Sequence, residues 1–198
     1  MNRSPPPHPN GRRSDRLRVG LVMAAIVGLA TVALRMEGHQ WWCRCGRLTP
    51  WSGAIRSEHN SQHLFDPYSF THIEHGLLIY ALLRPFARRL GPGSRLMLAV
   101  GLEAVWEVVE NSSAVIERYR QATIALGYVG DSVVNSLGDI AACTLGFCLA
   151  NRLPVRWSIG LLLAVEAALL AIYRDNLALN VLMLVFPLEA VKTWQMGR

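Results

Sequence analysis

The sequence predicts an all-α integral membrane protein, a polytopic transmembrane helix bundle of about six spans. Three observations predict it. Of 198 residues, 52% are hydrophobic and only 17% are charged, whereas a soluble domain carries about 25% charged residues. Apolar runs of roughly 15 to 20 residues recur along the chain, the length that crosses a bilayer. Arginine supplies 19 of the 20 basic residues, many of them clustered beside those runs, which is the pattern of orientation signals. Together these exclude a soluble enzyme, a disordered chain and a disulfide-stapled secreted domain. The net charge of +6 is read as an orientation signal, with no nucleic acid as partner.

The elements follow in order. Residues 1–15, with Pro5, Pro6, Pro7 and Pro9 among Arg3, Arg12 and Arg13, read as a disordered basic cytoplasmic tail. Residues 16–198 read as one transmembrane helical domain. The first span, 17–36, holds the apolar run Val19 to Leu34 and reads as an uncleaved anchor; Thr31-Val32-Ala33 offers only a weak cleavage pattern. An outer loop, 37–68, carries Trp41, Trp42 and Trp51, residues that prefer a membrane interface. The second span is 70–86, followed by a basic loop around Gly91-Pro92-Gly93. The third is 96–116, the fourth 131–150, ending at Asn151-Arg152-Leu153-Pro154, and the fifth 157–173. The sixth, 177–191, is short and broken by Pro187 and Glu189; a full span and a re-entrant or interfacial piece both stay open. With the N-terminus in the cytoplasm, thirteen basic residues fall inside and seven outside. The positive-inside rule then predicts a multi-pass protein of the cell inner membrane with both termini cytoplasmic and loop 37–68 outside.

Ionisable residues within spans cost about 2.5–3.5 kcal/mol each on insertion scales and are functional candidates by default. Here their spacing is helical. His72 and His75 are three apart in the second span. Glu103, Glu107 and Glu110 follow one face of the third. Asp131, Asn135 and Asp139 follow one face of the fourth, and Arg174 and Asp175 follow the fifth. The predicted topology brings these sets to one depth, at the outer end of the bundle, with His59, His63 and Asp66 in the adjacent loop. Two histidines among carboxylates suit a divalent metal such as zinc, with His72, His75, Glu107 and Asp131 as candidate ligands. They equally suit general acid–base work. The structural alternative is pairing across helices, with Arg174 or Arg118 neutralising carboxylates.

Other features are plainer. Cys143 and Cys148 read as small apolar helix residues. Cys43 and Cys45 are too close for an easy mutual disulfide, and a redox or metal role stays open for them. Glu166 stands alone. Gly138 and Gly146 read as sites of close helix packing, and Trp106 as packing or as an aromatic wall. No P-loop, dinucleotide fingerprint or nucleophile elbow is present, so no bound organic cofactor is expected.

Several stretches resemble an uncharacterised family of bacterial multi-pass inner-membrane proteins with no assigned activity. They are Cys43-x-Cys45-Gly46, Asn60-Ser61-Gln62-His63-Leu64, Glu103-Ala104-x-Trp106-Glu107-x-x-Glu110-Asn111-Ser112, Arg118-Tyr119-Arg120, Gly130-Asp131-Ser132-x-x-Asn135-Ser136 and Arg174-Asp175-Asn176 with Leu179-Asn180-Val181. The resemblance runs from about residue 40 to the C-terminus. A shorter likeness is to VanZ-like membrane proteins, carried by Asp131, Asn135 and Gly138, with His75 and Glu107. It implies action at the outer face, on envelope lipids or cell-wall precursors. Two function classes therefore remain: an envelope-facing enzyme or binder of a lipid or precursor, and a non-enzymatic transporter or assembly protein.

Overall fold

The computed structural model describes residues 9–125 and 127–197. Eight α-helices are present among them: α1 (Pro9–Met36), α2 (Ser69–Leu83), α3 (Pro92–Glu110), α4 (Ser113–Ala122), α5 (Val133–Arg152), α6 (Val155–Tyr173), α7 (Leu177–Val185) and α8 (Glu189–Gln195). A short 3₁₀ turn, Arg84–Arg88, follows α2. Of the residues read as a basic tail, 1–8 lie outside the described residues, and 9–15 belong to α1.

Helix starts and stops follow local chemistry. Pro92 opens α3 in the first turn, where its missing N–H costs nothing. The Ser132 hydroxyl accepts from Asn135 N at 3.2 Å to cap α5, and Asn176 Oδ1 accepts from Leu179 N at 2.9 Å to cap α7. Arg174 ends α6 in the left-handed region, at φ 56°. Glu166, solitary in the sequence, accepts from Leu177 N at 2.8 Å and Ala178 N at 3.3 Å, so it serves the orphan N–H groups of α7.

Among the described residues, three helices are long and apolar enough to cross a membrane: Ser14–Met36 of α1, α5 and α6. Six spans are not supported by helix length and composition. Helix α2 has only 15 residues and α7 only nine. Helix α3 carries Arg95, Glu103, Glu107 and Glu110. The third predicted span ends at Glu110, not 116, because Asn111 turns the chain into the separate, amphipathic α4. The sixth breaks after Val185, where Pro187 cannot supply a helical N–H. Helix α6 buries only Leu169 and presents apolar side chains elsewhere, as a lipid-facing helix does.

Helix α2 packs along α5, α1 along α3, and α3 against α5. Ala30, Val100, Ala104 and Ile140 fill the seam of α1, α3 and α5, and Leu83, Ala99 and Phe147 fill the opposite end. The α2–α5 contact is backbone on backbone. A methyl group on Gly76 would overlap the carbonyl of Cys143, and one on Gly146 would overlap that of Ile73. Gly138 lies equally close to the Leu64 carbonyl. Small residues thus set the approach of these helices.

Loop 37–68 folds onto one end of the bundle. Val133 N donates to Gln40 O at 2.8 Å and Ser132 N to Ser61 O at 2.9 Å. The Gln62 amide donates to Gly130 O at 2.8 Å, and Asn135 Nδ2 to His63 O at 2.8 Å. The C-terminal ends of α1, α3 and α6 and the N-terminal ends of α2, α5 and α7 therefore gather beneath this loop.

Candidate functional site

The alternating direction of the helices puts their polar faces at the loop end of the bundle. His72 is the centre. Its Nδ1 lies 2.5 Å from Glu103 Oε1 and 3.3 Å from Glu107 Oε1, and its Nε2 lies 3.8 Å from Asp139 Oδ2. His75, one turn on, shares Glu103, with Nδ1 at 3.1 Å and 3.2 Å from the two carboxylate oxygens. The two imidazoles meet edge to face at 4.9 Å. Helices α2, α3 and α5 each contribute, and close α2–α5 packing is what brings Asp139 beside His72.

One Nδ1–H serves one acceptor. Glu103 takes it, and both oxygens of the fully buried Glu107 are left without a hydrogen bond, as is Asp139 Oδ1. Among the described residues, no arginine or lysine forms an ion pair with this group: Arg118 donates to Leu184 O at 2.8 Å, and Arg174 lies over the Trp194 ring at 6.0 Å. Three buried carboxylates therefore surround His72, with His75 as a second imidazole on Glu103 alone. Such a surplus of negative charge calls for protons or a cation.

His72, His75 and Asp139 form the floor of a cavity of about 240 Å³, with Glu103 and Glu107 buried outside its lining. Trp106 stands against His75, edge to face at 6.2 Å, and is one wall. Leu177, Val181 and Leu184 of α7 form an apolar wall, and Asn60 and Ser61 of the loop form the roof. Tyr68, Tyr119 and Tyr128 also line it.

The remaining sequence candidates sit higher or apart. Glu110 lines the cavity and accepts from the Tyr119 hydroxyl at 2.7 Å. Asp131 is a rim residue held by Tyr128 OH at 2.7 Å and Asn111 Nδ2 at 2.9 Å; it does not join His72. Gly130 makes this possible, since at φ 85° it turns the chain hard against Asn111. Asn135 points to the loop. Arg174 stays outside the cavity, so it does not neutralise the carboxylates. Asp175 lines the cavity but accepts from Tyr68 OH, Gln195 Nε2 and Asn180 Nδ2 at 2.8, 3.0 and 3.1 Å, a clamp between α2, α7 and α8. Asn111, Tyr119 and Tyr128 are site residues that the sequence reading leaves without a role. Asn111 stands inside the Glu110-Asn111-Ser112 stretch, a signal that spacing alone does not interpret.

His59 and His63 turn away from the cavity towards Cys43 and Cys45. Asp66 is buried beneath the loop. Its Oδ2 accepts from Ser61 N at 2.9 Å, and its Oδ1 from Tyr68 N and Ser69 N at 2.7 and 3.2 Å. The first of these bonds holds Ser61 at its left-handed φ of 57°.

Outside the helices, burial moves two acids. Desolvation, with the Asp131 charge, pushes Asp66 from 3.8 up to about 6. Desolvation pushes Asp175 from 3.8 up to about 6 against its hydrogen bonds. Burial, then the Asp131 charge, raises Tyr128 well above its ordinary value, so it remains a neutral donor. Between about pH 4 and 6 the folded protein binds more protons at these acids than the unfolded chain does, and stability falls as pH rises through that window. The melting temperature in detergent is therefore expected to rise on acidification from about pH 7 to 5. Asp175→Asn should flatten the slope; an unchanged slope refutes the assignment.

A family model described as a protein of unknown function, DUF2585, matches residues 34–197. Similar proteins include UPF0314 proteins of three bacteria. That of Paracoccus denitrificans is 49% identical over 170 residues, covering 86% of this chain and 88% of its own. That of Brucella anthropi is 45% identical over 177 residues, covering 89% and 90%. That of Rhizobium meliloti is 42% identical over 191 residues, covering 94% and 97%. No solved structure matches. With the family model extending through loop 37–68, the His72 centre and the α7 wall, the chain belongs to the DUF2585 family of proteins of unknown function.

Proposed function

We propose that this is a multi-pass protein of the cell inner membrane whose cavity opens to the outer side and binds the polar headgroup of an envelope lipid or cell-wall precursor, with a divalent cation at the His72 centre. One observation carries the reading: His72, His75 and Asp139 line a cavity faced by aliphatic side chains of α7, and the buried Glu107 against His72 and one oxygen of Asp139 have no hydrogen-bond partner. That combination suits an amphiphile, whose anionic head would meet, at the cavity-lining His72 and Asp139, a divalent cation held together with the buried Glu107. The arginine distribution supports an outward mouth, and the resemblance to VanZ-like proteins implies action on the same substrates. His72 and His75 would orient the headgroup and exchange protons with it.

Detergent-purified parent and Glu107→Gln protein would be compared by elemental analysis and by native mass spectrometry of co-purified lipid. The parent is expected to retain a divalent cation at the His72 centre and an anionic lipid, and the folded variant to lose the lipid and one equivalent of cation relative to the parent. Equal retention in the two proteins overturns the reading in favour of transport or assembly.

A further inference from the structure

A second set of metal-ligand side chains lies in loop 37–68, separate from the His72 centre. Cys43 Sγ is 3.2 Å from His59 Nδ1, and Cys45 Sγ is 3.9 Å from His63 Nε2. One ligand atom from each of the four lies within 4.8 Å of all the others. A tetrahedral zinc with bonds of about 2.3 Å to sulfur and 2.0–2.1 Å to nitrogen sets its ligands about 3.3–3.8 Å apart. The quartet is thus already near that size. Cys43 and His63 are buried, and Cys45 and His59 are partly so.

The imidazoles are prepared for it. His63 Nδ1 lies 2.7 Å from the Thr49 carbonyl. Donation there leaves the Nε2 lone pair facing Cys45, the arrangement that orients metal-bound histidines. The His59 and His63 rings meet at 5.6 Å and 64°, so neither blocks the other. All four cysteines are free thiols, and a Cys-x-Cys pair is too short to close comfortably on itself.

We infer that Cys43, Cys45, His59 and His63 form a closed, four-ligand zinc site that staples loop 37–68 over the cavity. Two thiolates and two imidazoles select zinc over magnesium or calcium. Four protein ligands leave no open position, so the site is structural, not catalytic. Its place in the fold gives it an effect. Asn60 and Ser61, the cavity roof, lie between the two histidines, and His63 O accepts from Asn135 on α5. Zinc binding displaces the two thiol protons and holds this roof against the bundle.

The test uses the full chain in detergent. Parent protein is expected to lose one zinc equivalent in Cys45→Ser and to keep it in Glu107→Gln, which separates this site from the His72 centre. Cobalt-loaded parent should show thiolate-to-cobalt charge-transfer absorption with tetrahedral visible bands, a measurement that needs no variant. Chelation should speed tryptic cleavage at the exposed Arg47 and Arg56 several-fold, and zinc should restore protection. A Cys143→Ala control should change none of these. Equal zinc in parent and Cys45→Ser, a cobalt complex without a thiolate band, or a Cys43–Cys45 disulfide that prevents loading would each overturn the inference.

Discussion

His72→Ala is expected to destabilise the bundle by about 3–5 kcal/mol, because it removes the imidazole that faces all three buried carboxylates and leaves only His75, on Glu103. Glu103 loses its 2.5 Å partner, and Glu107 and Asp139 lose the nearest positive group. Denaturant unfolding in detergent checks the magnitude. Glu107→Gln is the informative companion. Gln has the same shape and removes a carboxylate that makes no hydrogen bond. If the cluster only held helices together, this variant would be as stable as the parent, or more so, and would bind whatever the parent binds. The proposed role instead demands that stability hold and cation and lipid binding fail. A stable His72→Ala protein would show that the carboxylates are neutral in the fold and need no imidazole.

Gly76→Ala and Gly146→Ala are expected to be comparably severe, at about 3 kcal/mol or more. Overpacking usually costs about 1–3 kcal/mol, and here the obstacle is backbone. The added methyl meets the Cys143 carbonyl in one case and that of Ile73 in the other, and neither can rotate aside. Helices α2 and α5 must separate, and Asp139 retreats from His72. Loss of bound cation should therefore accompany loss of stability. Gly160→Ala in α6 is the control. Nothing lies within 4 Å of its added methyl, and exchanging glycine for alanine in a helix gains up to about 1 kcal/mol. Similar unfolding midpoints for Gly76→Ala and Gly160→Ala would show that α2 and α5 do not depend on this contact.

Particular residues show how far spacing could be read. The three-residue step from His72 to His75 and the four-residue steps from Glu103 to Glu107 and from Asn135 to Asp139 place each set on one helix face. Apolar run length then identified α1, α5 and α6 as membrane-crossing candidates. The sixth segment, which the sequence leaves open between a full span and a re-entrant piece because of Pro187 and Glu189, divides there into α7 and α8. Run length overran at Asn111, whose side chain ties the end of α3 to Asp131. Asp131 was grouped with the histidines because helical spacing links it to Asp139, yet it precedes the first residue of α5. There the turn at Gly130, not the helix period, decides its direction.

From sequence alone came the helical class, the lengths of the apolar helices and the gathering of ionisable groups towards one end of the bundle. These depend on periods and directions that each segment carries by itself. Which carboxylates share His72, that Arg174 stays outside, and that Cys43 and Cys45 meet His59 and His63 were decided only by tertiary structure. A helical period gives a residue's height and its face on its own helix, but not which way that face turns. Rotation of α2 against α5 is set by the backbone contacts at Gly76 and Gly146, and the loop is closed by Ser61, Gln62 and His63 bonding to residues about 70 positions away.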